Sequence, residues 1–289
     1  MISLIVATLN RVAELERLLT SLEGQSCRDF EVIIVDQNPD DRLAPILRKH
    51  DRLALHHLRC ESGASRARNV GLRTAKGDLI AFPDDDCWYP EELLATVADW
   101  FEAHSGFGVL FTTIRTADNK PTGPKWPPDG PCLCTKENTW DCGLTLNAFL
   151  RREVTDAIGF FNENIGLGVA SRYQSGEDID YLLRPLTLGV RMWYEPAMIV
   201  YHPSFHSKQR LHERTYPYAL SCGYVLRVHG YSVLEFGGWL VRSLGGAFVS
   251  LCKGDIPLTY IYLLRAGGQL RGYILGPTDI KKISDSVTN

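Results

Sequence analysis

The first hundred residues alternate between two spacings of apolar positions. Short, predominantly apolar runs at 2–7, 31–36, 53–58 and 78–82 are bounded by turn residues, and such runs predict strands buried in the interior of a sheet. Between them, residues near 11–23, 40–50 and 64–75 repeat their apolar positions at helical spacing. Crossovers of that length join parallel strands, so the pattern predicts a right-handed βαβ series. A helix at 90–104 and a strand at 108–114 continue the layer. Residues 115–142 then break the rhythm with Pro121, Gly123, Pro124, Pro127, Pro128, Gly130 and Pro131. A loop this long inside a compact domain is usually functional or mobile. Further on, 152–158 and 177–188 read as helices, and 190–201 as a pair of short strands around Glu195-Pro196.

Beyond residue 205 the patterning changes. Between Tyr231 and Lys253, the side chains of Phe236, Leu240, Leu244, Phe248 and Leu251 share one helical face, with Glu235, Arg242, Ser250 and Lys253 largely opposite. That is an amphipathic helix, because charges interrupt the apolar run before the ~18 residues needed to span a bilayer. Leu258 to Leu275 carries Arg265 and Arg271 among Tyr and Leu. Two readings stay open: contact with a membrane surface, where arginine and aromatic residues favour the interface, or packing on the preceding domain or on a second subunit, as a homodimer. The expected organisation is a first domain at 1–205, a helical extension at 206–276, and a loose polar tail at 277–289 containing Lys281-Lys282.

Composition narrows the classes. With 289 residues, 45% of them hydrophobic and 22% charged, the chain can bury a sizeable core. A net charge of −3 disfavours a nucleic-acid partner, whose domain would be markedly basic. The opening Met1 to Thr8 has no basic region of the secretory kind, so the expectation is a cytoplasmic protein whose eight cysteines are reduced thiols. Cys132, Cys134 and Cys142 lack the repeated paired spacing of a zinc site.

The chemistry concentrates where one predicted strand ends. Asp84, Asp85 and Asp86 follow directly on the apolar run ending in Phe82-Pro83, at the edge where open parallel sheets bind ligands. Three like charges in a partly dry cleft repel one another unless a cation neutralises them, and hard oxygen ligands suit Mg²⁺ or Mn²⁺. The competing reading is a solvated turn capping the next helix. At the end of the second strand stands Asp36, and a carboxylate there often accepts from a nucleotide's hydroxyl or base. Thr8-Leu9-Asn10-Arg11 after the first strand is not a glycine-rich dinucleotide fingerprint, and the chain has no P-loop motif, which disfavours both of those classes.

Taken in order, these segments resemble the family 2 inverting glycosyltransferases over about residues 1–205. The matching segments are Ser3 to Arg11, Ile34-Val35-Asp36, Gly63 to Gly71 with Gly77-Asp78, the triplet Asp84-Asp85-Asp86, Ser175-Gly176-Glu177-Asp178, and Tyr201-His202-Pro203. The resemblance implies an α/β protein of the GT-A fold, a Rossmann-like mixed and mostly parallel sheet flanked by helices, here with a C-terminal helical extension. It further implies that Thr8, Asn10, Arg11, Asp36, Arg66, Asn69, Asp84 and Asp85 meet a nucleotide-diphospho-sugar, a UDP-sugar being favoured. By the same resemblance Asp84 or Asp86, with His202, holds Mn²⁺ or Mg²⁺, and Asp178 beside Glu177 is the general base toward a glycan or lipid-linked acceptor. Pro83 departs from the family's usual Leu, and acceptor choice is expected partly in 115–142, where Trp126 and Trp140 are candidates to stack on a sugar. The rival readings are a sugar nucleotidyltransferase, a retaining transferase on the same fold, and a binding module without catalysis.

Overall fold

The structure, a computed structural model, describes residues 1–123, 128–204 and 211–277. β1 (Ile2–Thr8), β2 (Phe30–Asp36), β3 (Leu55–Arg59) and β4 (Leu79–Ala81) run parallel, with α1 (Ala13–Glu23), α2 (Ala44–Lys49) and α3 (Ala64–Thr74) as crossovers. The unbroken apolar runs have a simple cause, since successive side chains point to opposite faces and both faces are covered. Leu4, Val6, Val32 and Ile34 pack with Leu15, Leu18, Leu19 and Leu22 of α1 on one side. Ile5, Ile33 and Val35 join Ala67, Phe82 and Phe111 on the other.

The remaining elements of this layer are α4 (Leu93–Ala103), β5 (Val109–Arg115), β6 (Cys132–Cys134), α5 (Thr139–Cys142), β7 (Ala148–Arg151), α6 (Arg152–Ile158), α7 (Glu177–Thr187) and β8 (Met192–Tyr201). They complete an eight-stranded sheet of order β3-β2-β1-β4-β7-β5-β8-β6. β7 is antiparallel to both β4 and β5, β6 is antiparallel to β8, and β5 is parallel to β8. This is the mixed, mostly parallel sheet flanked by helices that the sequence leads one to expect.

Three details differ from the expectation. β6 and α5 lie inside the segment read as loop, and β7 has no strand signal because four residues are too few to establish a period. Trp140 sits half-buried on α5, whereas Trp126 lies outside the described residues. Residues 192–201 form one strand rather than two. Its ladder with β5 slips between Thr112 and Thr113, which pair with Glu195 and Ile199. Pro196, lacking an N–H, falls in that bulge.

The chain divides into two compact units, Met1–Phe161 with Tyr181–Phe205, and Asn162–Asp180 with His206–Asn289. The first contains the sheet. The second contains α8 (Leu211–Val228), α9 (Val233–Cys252) and α10 (Ile256–Leu275). α8 and α10 approach closely enough that a side chain at Gly272 would collide with the Leu220 carbonyl. α9 opens with a capping box in which Ser232 and Glu235 exchange hydrogen bonds, and α10 with Asp255 accepting from the Leu258 amide at 2.9 Å. The face of α9 that packs is not the bulky apolar one. Phe236, Ser243, Ala247 and Ser250 are buried, while Leu244, Phe248 and Leu251 are exposed. Among the described residues no helix is long and apolar enough to cross a membrane. Lys281-Lys282 lie outside the described residues.

Candidate active site

Parallel register sets Thr8 of β1 against Asp36 of β2, and β4 runs the same way on β1's other side. The chain leaving β4 therefore delivers the acidic triplet to the carboxyl edge of the sheet, beside the residues that follow β1. Phe82, immediately upstream, anchors this exit. It meets Phe161 and Tyr181 edge-on at centroid distances of 5.1 and 5.8 Å, and those two rings stack at 3.8 Å.

Three arginines and a histidine converge on the triplet. Arg11 Nη1 lies 3.2 Å from Asp85 Oδ1 and also donates to Asp86 Oδ2. Arg17 donates to the Asp86 carbonyl at 2.6 Å while its guanidinium covers the Trp88 ring at 4.3 Å. Buried Arg68 approaches Asp84 Oδ1 at 3.5 Å. His202 Nε2 is 3.0 Å from Asp86 Oδ1 and 3.9 Å from Asp84 Oδ2. What brings this distant histidine in is β8, whose last residue, Tyr201, forms a two-way backbone bridge with Trp88 at 3.0 Å and stacks on its ring at 5.5 Å.

The charges settle unevenly. Burial pushes Asp85 up to about 7, with Arg11 pulling back and the carboxylates of Asp84 and Asp86 adding to the rise. Asp86 is also raised by burial, yet the adjoining His202 and then Arg11 outweigh it and hold that carboxyl below its ordinary value. For His202, burial lowers the affinity for a proton, but Asp86 and Asp84 more than offset it and the imidazole is raised. So three carboxylates meet three guanidiniums and an imidazole, and the carboxyl that rises is Asp85, where burial outweighs the neighbouring Arg11.

Ligand atoms of Asp84, Asp86 and His202 all lie within 4.8 Å of one another, and no other such group occurs among the described residues. His202 Nδ1 faces the Pro203 carbonyl at 2.5 Å, and since a carbonyl only accepts, that nitrogen carries the hydrogen. Nε2, turned toward Asp86 and Asp84, is then the ring nitrogen that would bind a cation, oriented by the backbone partner of Nδ1. Two carboxylates and one imidazole form a donor set that suits Mn²⁺ well and Mg²⁺ through its oxygens. The residues fit a divalent metal.

The other expected site residues are placed as follows. Asp36 is fully buried. Its Oδ1 accepts from the backbone and side-chain nitrogens of Asn38 at 2.8 and 2.7 Å, and Oδ2 is 3.0 Å from His57 Nε2. Asn10 adopts φ 60°, with its amide donating to Asn38 Oδ1 at 2.8 Å and its own Oδ1 accepting from Arg42 at 2.8 Å. Arg66 pairs with Glu61 at 2.5 Å, so the arginine of α3 that reaches the triplet is Arg68. Asn69 grips the backbone of Phe161 from both sides, at 3.0 and 2.8 Å. Helical spacing carries the missed signal, because Ser65, Arg68 and Asn69 occupy one buried face of α3 while Arg66 does not. Arg17 and Trp88 had no motif of their own.

Glu177 and Asp178 stand in the first turn of α7, in the second unit, Glu177 buried and Asp178 half-buried. Tyr218 of α8 shares their surroundings. Burial raises its phenol, Arg214 opposes, and the charges of Glu177 and Asp178 add to the rise. Asp180, one turn of chain further, pairs with His229 at 2.9 Å with both side chains 3% exposed. No sequence motif singled out this pair.

The family described as Glycosyl transferase family 2 matches residues 3–161, more than half of the chain. A curated relative from Haemophilus influenzae, an uncharacterized glycosyltransferase, is 43% identical over 95 residues, 32% of this chain and 32% of its own length. The chain thus spans about a third of that relative in the aligned segment. Among solved structures, S. aureus TarS in complex with UDP-GlcNAc superposes with a TM-score of 0.61 at 17% identity, covering 93% of this chain and 92% of that one. Mannosyltransferase PcManGT from Pyrobaculum calidifontis, in complex with GDP-Man and Mn²⁺, superposes with a TM-score of 0.62 at 18% identity, covering 94% and 86%. At such identities the likeness is one of fold.

Proposed function

The chain belongs to glycosyl transferase family 2, and on that premise we propose that it transfers a sugar from a nucleotide-diphospho-sugar to an acceptor hydroxyl, with inversion and with a divalent metal. The observation that carries this reading is the Asp84, Asp86 and His202 cluster at the carboxyl edge of β1 and β4. Mn²⁺ or Mg²⁺ there would neutralise charge growing on the departing diphosphate. Asp84, Asp86 and His202 would hold it, while Arg11 and Arg68 supply fixed positive charge beside the same carboxylates. Thr8, Asn10, Arg11, Asp36, Arg66, Asn69, Asp84 and Asp85 are the proposed donor residues. Asn69 acts there through the backbone it grips.

Asp178 is the proposed general base, taking the acceptor hydroxyl's proton as that oxygen attacks, with Glu177 as its buried neighbour. A UDP-sugar is the first donor class to test, as in the TarS complex, and a GDP-sugar the next, as in the PcManGT complex. The acceptor is proposed to be a glycan or a lipid-linked glycan in polysaccharide or glycolipid assembly on the cytoplasmic side, with the catalytic part at 1–205. Asp178→Asn should leave donor affinity intact and lower turnover by roughly 10²-fold or more. Full turnover in that variant removes Asp178 from the mechanism, and retention of anomeric configuration in the product, read by NMR, overturns the inverting reading.

A further inference from the structure

We propose that α9 and α10 form a docking face for an anionic lipid surface, with an arginine-flanked groove on α10 receiving headgroup phosphate. This does not depend on the transferase reading. It rests on which faces of the two helices stay outside. The buried stripe of α9 is small (Ser243, Ala247 and Ser250 after Phe236), and its bulky side chains point away: Leu234 is 89% exposed, Val241 68% and Phe248 67%. α10 also leaves bulky apolar side chains outside, Ile256 at 60% and Ile274 at 68%. Single exposed apolar residues are ordinary, but a row of them repeated along two adjoining helices marks a surface that something covers.

Charge decides what covers it. Between residues 233 and 275 stand four basic residues, Arg242, Lys253, Arg265 and Arg271, and two acids, in a chain whose net charge is −3. Both acids are held at helix starts, Glu235 in the Ser232 capping box and Asp255 as the N-cap of α10. There the positive end of the helix dipole offsets them. Four basic residues against two capping acids leave this stretch with a net positive charge. A second copy docking by two-fold symmetry would set this basic surface against itself, whereas anionic lipid complements it. Arginine suits the role further, burying its stem in apolar surroundings while its guanidinium reaches phosphate.

A groove of about 370 Å³ on α10 adds an independent observation. It is lined by Arg172, Gly267, Leu270, Arg271, Ile274 and Leu275. A lining that combines apolar side chains with two arginines matches an amphiphile, phosphate to the arginines and hydrocarbon to the apolar side chains. Neither helix crosses the bilayer, so the docking is interfacial.

Vesicle flotation tests this with the full chain, comparing phosphatidylcholine alone with phosphatidylcholine containing phosphatidylglycerol. The wild type should float with the anionic vesicles and lose binding as salt rises. Phe248→Glu and Leu234→Glu, both at exposed positions, should each weaken it about tenfold or more. Arg172→Gln and Arg271→Gln should each lose about fivefold on anionic vesicles and nothing on neutral ones. Nucleotide-induced thermal stabilisation, measured on the same variants, should stay at the wild-type value, which separates a failed docking face from a failed donor site. A wild type that stays unbound on anionic vesicles overturns the proposal, and so does a dimer by light scattering that Phe248→Glu converts to monomer.

Discussion

At the scale of single residues, the proposed metal site gives His202 a larger part than its place in the chain suggests. Its Nδ1 hydrogen is committed to the Pro203 carbonyl at 2.5 Å, which orients Nε2 toward Asp86 and Asp84. His202→Gln should weaken Mn²⁺ binding by about tenfold or more in titration calorimetry while the variant stays folded. Affinity equal to wild type would mean that the carboxylates alone hold the metal. Away from the site, Glu31 of β2 is buried. Its Oε1 accepts from Ser3 Oγ and the Lys76 amide, both at 2.6 Å, and His56 lies 3.1 Å from Oε2. Burial raises this carboxyl, but those hydrogen bonds and His56 prevail, so its folded value is depressed. A depressed acid stabilises above its unfolded value of about 4.3 and loses that contribution as pH falls through the folded value. Glu31→Gln should thus cost about 1–2 kcal/mol near neutrality, with the gap from wild type closing in strong acid. Denaturant unfolding at several pH values reads this directly, and a gap independent of pH would refute it.

At the scale of elements, close approach decides what a position tolerates. Gly71 of α3 faces β1 so tightly that an added methyl would run into the Ile5 side chain, whereas the same atom at Gly238 of α9 meets open space. Alanine improves helix propensity at both places by about 1 kcal/mol. At Gly71 the added atom would sit far inside contact distance of Ile5, a clash of up to about 3 kcal/mol that exceeds the propensity gain, so Gly71→Ala should destabilise while Gly238→Ala stabilises. Urea midpoints of opposite sign are the expected result. Equal shifts would mean that α3 can move off β1, and Arg68 would move with it. The elements also separate what pattern can disclose from what it cannot. β1 and β2 were legible because long apolar runs are distinctive, but β7 was not, since four residues carry no measurable period and their pairing depends on β4 and β5 being already in place.

For the whole molecule, a donor site predicts stabilisation by mass action. Nucleoside diphosphate with Mn²⁺ at about 100 times its dissociation constant adds about 2.7 kcal/mol, or roughly 5 °C or more in Tm for a chain of this size. A thermal-shift panel of UDP, GDP, dTDP, CDP and CMP, each with and without Mn²⁺, should single out one base, require the metal, and go flat in Asp86→Ala. A wild type that responds to none of them would favour the rival reading of a non-catalytic module or a site completed by a partner.

The alternation of strand and helix, the acidic triplet after β4, and the order of the motifs were determined by sequence alone, because burial on two faces and the spacing of charges are properties of local pattern. That order was enough to reach the family and its fold. Tertiary structure decided which side chains meet. Asp84 and Asp86 are separated from His202 by more than a hundred residues, and the pairing of β8 with β5 and of Tyr201 with Trp88 brings them within reach. Which arginine of α3 faces the triplet, and which face of α9 packs, were likewise settled by neighbours. The choice in each case depends on the space another element leaves, and a one-dimensional pattern does not contain that space.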